Sequence, residues 1–483
     1  MLTFRPYSFD AFRALLPILR RYKGLCNDLC AGSLFMWQQE TGLQFALYKG
    51  TLTLRQNIGD QPAFSYPIGD DPDGMIDELL RYTAANNLAL RFFAVDEATL
   101  AAIRADDRLA SAMWSYNRKW SDYLYAFDEA LTFTGKKFNG QRNHINKFTR
   151  LYGEPVVRPL CREDRPLVDE MLALYAAEHT ERSALESAEL ANTRRLLDCY
   201  DELGLYGACL TVGEKIIAFS IGEVVGDTLF IHIEKALRQY EGAYPAMYRG
   251  FVRLVGERLG RPLTYVNRED DSGDPGLRTS KTQYHPVALV HKYLVHVNSP
   301  AAKLGDPPVL RADGLVLTPI RETDKAAYRE LNTDLDNNKY WGYDYREDGD
   351  LTLPVDDDTF YDAVRRDMAA GDSVNFAIRF SEDGEMIGEG VLWQFTANGR
   401  AEIGCRLFAR YHGKGWGKAA FSAMADYAAS LGLMCRARCY AENIASHRMI
   451  LASGFRQICY DGDFFYFARP CCPPVAACGR RAV

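Results

Sequence analysis

Read as a pattern of apolar and polar positions, two stretches of the chain predict the same succession of elements. In the first, Tyr206 to Val212, Lys215 to Val224 and Thr228 to Glu234 read as strands; a helix follows from about Tyr244 to Leu259, then a strand from Leu263 to Asn267. The second opens with a strand between Leu310 and Pro319, and Glu322-Thr323-Asp324 leads into a helix. Next come a helix from Phe360 to Ala370, strands at Asn375 to Phe380 and Met386 to Phe395, and a strand from Ala401 to Phe408. An Ala-rich helix from about Lys418 to Ser430, a strand from Met434 to Tyr440 and a short helix that begins in Ala441 to Arg448 and ends at Ser453-Gly454-Phe455 complete it. Strand, loop, helix, strand and asparagine recur in the same order, which predicts an internal structural repeat without a fixed sequence period.

The two stretches differ in the loop. The second has His412-Gly413-Lys414-Gly415-Trp416-Gly417 ahead of its helix, whereas Lys235-Ala236-Leu237-Arg238-Gln239-Tyr240-Glu241-Gly242 in the first contains a single glycine. Glycines let backbone N–H groups approach phosphate oxygens, and a helix N-terminus adds a positive charge of about half a unit. The second loop therefore suits a diphosphate. Spacing excludes two better-known phosphate loops: a dinucleotide fingerprint from Gly413 needs glycine where Lys418 stands, and a nucleotide P-loop needs glycine at His412 and a hydroxyl at Ala419.

The loop resembles that of the GNAT family of N-acetyltransferases, Arg/Gln-x-x-Gly-x-Gly/Ala, with His412 in the Arg/Gln place; a register from Arg410 to Gly415 also satisfies it. The resemblance extends over residues 309–470 and includes the Asn443-x-x-Ser446 and Gly454-Phe455 pairs. It implies acetyl-coenzyme A as co-substrate, held by Leu407, Phe408, His412, Gly413, Lys414, Gly415, Trp416, Gly417 and Lys418. It also implies that Asn443 meets the pantetheine arm or the bound cofactor's amide groups and that Ser446 lies near the thioester sulfur.

Acetyl transfer to an amine needs a neutral nucleophile, and a lysine-type amine with a pKa of about 10.4 is protonated at neutral pH. Glu402, which shares a strand face with Gly404 and Arg406, is the candidate base; a salt bridge to Arg406 is the alternative reading. Glu389 is the reserve. Ser446 or Tyr460 could protonate the departing thiolate, although a hydroxyl at a helix start also serves as a cap. The aromatic stretch holding Tyr340, Trp341, Tyr343 and Asp344 is either the acceptor entrance, with an acid to select an amine, or a packed surface cluster.

At 483 residues and 47% hydrophobic content the chain has material for about three domains. A net charge of −7 argues against bulk nucleic-acid affinity. No apolar run is long enough to cross a membrane, and Asp10 and Arg13 interrupt a secretory core, so the expectation is a cytoplasmic protein without integral membrane association. The 12 cysteines are scattered; Cys26-x-x-x-Cys30 and Cys435-x-x-x-Cys439 lack paired metal spacing, so no metal and no disulfide framework is expected. The Pro- and Ala-rich end, 471–483 with Cys471, Cys472 and Cys478, reads as a disordered tail, and 298–308 as a linker.

Upstream of that linker, Gly135-Lys136-Lys137-Phe138, Gln141 to Phe148, His232-x-Glu234-Lys235-Ala236, Asn267-Arg268-Glu269-Asp270-Asp271-x-Gly273 and Gly276-Leu277-Arg278 resemble the C-terminal domain of phosphatidylglycerol lysyltransferase in its soluble bacterial form. Lys281, Tyr284-His285-Pro286 and Lys292-Tyr293 complete the likeness over about 1–297. It implies two fused acetyltransferase-like lobes, about 1–125 and 126–297, and acyl or aminoacyl transfer; the family's membrane-bound members move an aminoacyl group from transfer RNA to a lipid headgroup. Lys136, Lys137, Arg142, Lys147 and Arg150 form a segment without acids that could grip phosphates of RNA or of a nucleotide donor, or stand as a solvated basic helix face. His232, Glu234, Asn267, Arg268, Arg278 and Lys281 lie at predicted strand ends and loops, as a substrate site or as an ion-pair network.

The expected architecture is a mixed α/β chain of tandem acetyltransferase-like lobes, two N-terminal and one C-terminal. The expected activity is acetyl transfer from acetyl-coenzyme A to a primary amine of a small molecule or peptide. The alternatives are transfer-RNA-dependent aminoacyl transfer by the N-terminal region and acyl-coenzyme A binding without turnover. The acceptor and the oligomeric state are not fixed by the sequence.

Overall fold

The computed structural model describes residues 2–469 apart from 59–60, 110–111, 179–183, 298–306, 347, 349–350, 352–353 and 397–398. Most of the expected linker and the whole of the expected 471–483 tail lie outside the described residues. The fold is mixed α/β with three sheets, and the chain divides into two compact units. One comprises Met1–Glu78, Phe93–Leu100 and Tyr116–Tyr293; the other comprises Leu79–Phe92, Ala101–Ser115 and Leu294–Val483. Among the described residues no helix is long and apolar enough to cross a membrane.

In the first unit, Gln44–Tyr48, Thr51–Ile58 and Gln61–Ser65 form an antiparallel meander, and a separate seven-stranded sheet comes after it. That sheet runs Ala288–Val290, Asp122–Ala126, Tyr265–Asn267, Thr228–Ala236, Lys215–Val225, Tyr206–Val212, Val156–Pro159. Thr228–Ala236 and Tyr265–Asn267 pair in parallel, so the chain must cross over between them, and the helix Ala243–Leu259 makes the crossing. Ala246, Phe251, Val252 and Val255 of that helix bury themselves with Tyr123, Phe133, Phe138 and Phe148.

The second unit holds an eight-stranded sheet in the order Leu310–Ala312, Leu315–Pro319, Ser373–Arg379, Gly388–Thr396, Arg400–Leu407, Met434–Tyr440, Phe464–Arg469, Arg456–Tyr460. Arg400–Leu407, here the inbound strand, and Met434–Tyr440, the outbound strand, are parallel, and the helix Trp416–Ser430 joins them. Its Ala420, Phe421, Met424, Ala425 and Ala428 pack on Ala401, Ile403, Cys435, Ala437 and Cys439, the odd-numbered face of the two strands. The helices Lys325–Thr333 and Asp357–Ala370 supply Tyr328, Leu331, Phe360 and Val364 to a second cluster around Ala377 and Phe408.

Most expected elements stand within a few residues of their predicted limits. The opening strand is instead a hairpin, because Asp313-Gly314 turns the chain between Leu310–Ala312 and Leu315–Pro319. Arg278 and Lys281, expected in a loop, lie on the helix Pro275–Thr282, which Asp274 caps at Leu277 N.

Candidate active site

The glycine loop begins where the inbound strand ends. Ala409–Tyr411 makes one 3-10 turn, the chain passes His412 to Gly415, and Gly415 is the N-cap of the Trp416–Ser430 helix without a side-chain cap. Gly413 and Gly415 have φ of +76° and +83°, and a Cβ on either would meet nothing within 4 Å. The turn is thus open around Gly413 and Gly415, with Lys414 and Lys418 exposed beside it. His412 folds back, Nε2 lying 3.0 Å from Leu407 O, which also accepts from Asn337 Nδ2. Phe408 N donates to Ile387 O, so the hydrogen-bonding groups of Leu407 and Phe408 named here serve the fold. Trp416 packs its ring at 5.4 Å from Phe380, and Gly417 O lies 3.6 Å from Cys405 Sγ.

The inbound and outbound strands pair only from Arg400↔Met434 to Glu402↔Arg436, although they run on to Leu407 and Tyr440. Beyond Glu402 they separate, leaving two strand edges facing a split. Glu402 stands at the last rung, on the face opposite the Trp416–Ser430 helix. Its salt bridge is to Arg438 at 3.1 Å rather than to Arg406, because Arg406 is claimed by Glu389. Both oxygens of buried Glu389 are spent: Oε2 accepts from Arg406 Nε and Nη2, and Oε1 from Tyr328 Oη and Asn375 Nδ2. Arg406 also donates to Asn338 and Asn332, so this network anchors the start of the aromatic stretch to the sheet.

That stretch lies on the Glu402 face. Trp341 and Trp393 both reach over Gly404, where a Cβ would sit 3.0 and 2.9 Å from their rings, and Arg406 stacks on Trp341 at 4.8 Å. Tyr340 approaches Tyr440 at 6.1 Å between ring centroids, and Tyr343 donates to Asp348. The expected amine-selecting acid, Asp344, is held by Arg346 at 2.6 Å, which keeps its carboxyl pulled down to about 2. Tyr440, at the outbound strand's end, joins this aromatic group although the sequence does not single it out; its position as the last strand residue before the Asn443 turn is the available signal.

The other candidate catalytic groups lie across the sheet. Asn443 caps the helix Ile444–Ala452 by accepting from Ser446 N at 3.0 Å, which places the Ser446 hydroxyl on the first turn. Tyr460 pairs with Phe465, which pairs with Cys439 of the helix-side face; Tyr460 therefore projects away from Glu402, and its hydroxyl donates to Gly462 O at 2.8 Å. Glu402, Ser446 and Tyr460 do not share a face.

In the first unit the polar candidates do converge. His232 lies between Glu223 and Glu269, each 2.9 Å from a ring nitrogen; burial pulls its pKa down, but the two carboxylates outweigh it and raise it to about 9. Glu234 holds Arg268 at 2.9 Å, and the guanidinium stacks on Tyr248 and Tyr284 at 4.3 and 4.4 Å. Asn267 donates to Leu25 O and Asp122, and its Oδ1 accepts from Glu269 N. Lys281 donates to Arg268 O and Asp270 O, and burial lowers its pKa. Arg278 grips Asp271 at 2.9 Å, overcoming the burial that would raise that carboxyl and holding it down at about 2. Among the described residues Glu234 Oε2, Arg268 Nη1 and Tyr248 Oη are buried with no hydrogen-bond partner. The basic segment is less free than its composition implied: Lys137 pairs with Glu129, Lys147 with Glu241, and Arg142 donates to the carbonyls of Phe133 and Gly135. Among the described residues no group of His, Cys, Asp and Glu is arranged to hold a metal ion.

A curated relative, an uncharacterized protein of Mycoplasmoides gallisepticum, is 26% identical over 178 residues, 37% of this chain; the chain spans 56% of that relative's length. A conserved protein of unknown function from Bacteroides thetaiotaomicron is 25% identical with a TM-score of 0.56, covering 62% of this chain and 100% of that one. An acetyltransferase (GNAT family) from Bacillus anthracis is 22% identical with a TM-score of 0.28, covering 34% of this chain and 98% of its own. Residues 314–456 match the acetyltransferase (GNAT) domain model, which supports an acetyltransferase in the C-terminal domain. Residues 25–296, more than half of the 483, match the model for the C-terminal domain of phosphatidylglycerol lysyltransferase, and the chain belongs to that family.

Proposed function

We propose that the C-terminal domain transfers the acetyl group of acetyl-coenzyme A to an amine nitrogen. The observation that carries this reading is the pairing of an open glycine turn at a helix N-terminus with a strand split next to it. The N–H groups of Gly413 to Lys418, with Lys414 and Lys418, would hold the diphosphate; the fit rests on the space around Gly413 and Gly415 and on a helix start without a side-chain cap. Past Glu402 the two strand edges offer N–H and C=O groups to an amide-bearing arm, and Asn443 lies at the turn after the outbound strand. Acetyl-coenzyme A supplies an activated thioester. Glu402 accepts a proton from the incoming ammonium, directly or through water, and the neutral amine attacks the acetyl carbon as the carbon–sulfur bond breaks. The thiolate receives its proton on the helix side, where Ser446 offers a hydroxyl; the Tyr460 hydroxyl is committed to Gly462.

Titration calorimetry with acetyl-coenzyme A and thiol release with a panel of amines test the reading. One binding site per chain, lost in Gly415→Glu, is expected. Glu402→Gln should keep that site while kcat falls by roughly 10²–10⁴, the usual worth of a positioned base. Unchanged turnover in Glu402→Gln would remove it as base, and no binding by the intact chain would remove the acetyltransferase reading.

A second reading, aminoacyl transfer by the N-terminal module, draws on its family and on the three unpartnered polar atoms of Glu234, Arg268 and Tyr248. Retention of aminoacyl transfer RNA by the full chain at low salt would support it, and no retention would count against it.

A further inference from the structure

Resting on the acetyltransferase reading, we infer that the acceptor is an amine that also carries an anionic group, a carboxylate or a phosphate, rather than a polycation. The sheet face opposite the Trp416–Ser430 helix carries alternate residues of the inbound and outbound strands: Arg400 and Glu402, then Arg436, Arg438 and Tyr440. The intervening residues, Ala401, Cys435, Ala437 and Cys439, face the core. Arg436 and Arg438 are exposed.

Charge on this face is unbalanced. Glu402 is matched by Arg438, while among the described residues neither the Arg400 nor the Arg436 guanidinium has a hydrogen-bond or ion-pair partner. Of the acids around this face, Asp344 is held by Arg346 and Asp461 by the hydroxyl of Tyr466, which lies opposite Arg438 on the next strand, whereas exposed Glu442, past Tyr440, has no side-chain partner among the described residues; the three arginines still outnumber Glu402 and Glu442. Arg436 pairs in register with Glu402, so the two side chains leave the same face from neighbouring strands whose backbones lie about 4.8 Å apart. A guanidinium presents a planar fork matched to carboxylate and phosphate oxygens. An acceptor whose ammonium meets Glu402 while its anion meets Arg436 fits the face; a polycation would meet surplus positive charge.

The test uses the full-length protein, acetyl-coenzyme A at saturation and thiol release as the readout. Propylamine, β-alanine, phosphoethanolamine and spermidine are compared; β-alanine and phosphoethanolamine separate the carboxylate source from the phosphate source. At least one of those two is expected to exceed propylamine tenfold in kcat/KM, with the gain in KM. Arg436→Ser should raise the KM of that acceptor about tenfold with a smaller change in kcat, and Arg436→Glu should reverse the ranking in favour of spermidine. A wild-type preference for spermidine, or an Arg436→Ser enzyme with unaltered KM, overturns the inference while leaving the acetyltransferase reading intact. No thiol release with any amine overturns the inference, and if acetyl-coenzyme A also fails to bind in calorimetry, the acetyltransferase reading falls with it.

Discussion

The two parallel crossovers of this chain are built alike and finished differently. In each, the strands pair over three rungs only, Thr228↔Tyr265 to Phe230↔Asn267 in the first unit and Arg400↔Met434 to Glu402↔Arg436 in the second. In the first unit the chain beyond Asn267 reaches back to the inbound strand, as Arg268 binds Glu234 and Glu269 binds His232. Its helix start is covered too: a Cβ on Gly242 would lie 2.2 Å from His144 O of the helix Asn139–Tyr152. In the second unit the turn is open and the strand edges diverge. One topology therefore gives a split filled by the protein's own side chains in one place and an open turn beside diverging strand edges in the other; the difference lies in the chain segment after each crossover.

The largest test of this contrast compares the two arginines that reach an inbound-strand carboxylate. Arg268 and Glu234 keep 10% and 11% side-chain exposure, whereas Arg438 keeps 39% beside a Glu402 at 13%, so water reaches the second pair from the arginine's side only. Removing one partner of a buried pair leaves an uncompensated charge and costs about 3–5 kcal/mol, while an exposed pair is worth about 0–1 kcal/mol. Urea unfolding should place Arg268→Ala several kcal/mol below wild type and Arg438→Ala distinctly less far, by about 1–2 kcal/mol, because its carboxylate partner is largely buried but its own site is open to water. Equal losses would mean that the first split is not sealed by charge.

The same filled split should respond to pH. His232 is raised from 6.5 to about 9 in the folded chain, so the protonated ring stabilises the fold fully below the unfolded value, and that stabilisation is lost as pH rises through about 9. Each tenfold gain in proton affinity is worth roughly 1.4 kcal/mol, so the loss between about pH 6 and about pH 10 is about 3 kcal/mol at most. The difference in unfolding free energy between wild type and His232→Gln, measured across that range, isolates the contribution. A constant difference would show that the imidazolium contributes nothing between Glu223 and Glu269.

Strand alternation and glycine placement made the C-terminal fold legible: the strands around the loop and the helix after it come directly from the period of two and the stop at Ser430-Leu431-Gly432. Arg456–Tyr460 and Phe464–Arg469 were not legible, because the edge strand is exposed along its length and so shows no buried alternation. For the site, the loop residues could be read locally, but the partner of Glu402 could not: Arg438 is set by parallel register and Arg406 by a buried carboxylate on another strand. Nor could the commitment of Asp344 to Arg346, since only the folded turn brings the two heads together. In the first unit the polar residues were recognisable as a group, whereas their pairing into two separate carboxylate bridges depends on the bend after Asn267.

The finest test holds backbone conformation fixed and varies only surroundings. Gly242 and Gly415 occupy the same place before their helices with nearly the same φ, +85° and +83°. An alanine at either carries the left-handed penalty of about 1–2 kcal/mol. At Gly415 nothing else is expected, because its Cβ would point into open space; at Gly242 the added carbon would press on the His144 carbonyl and force the Asn139–Tyr152 helix to move. Thermal unfolding should therefore rank Gly242→Ala clearly below Gly415→Ala, while calorimetry should show acetyl-coenzyme A affinity weakened by Gly415→Ala and unaltered by Gly242→Ala. If both variants lost the same stability, the first turn would be as open as the second, and its lack of clustered glycines would remain the sole reason to assign the cradle to the C-terminal domain.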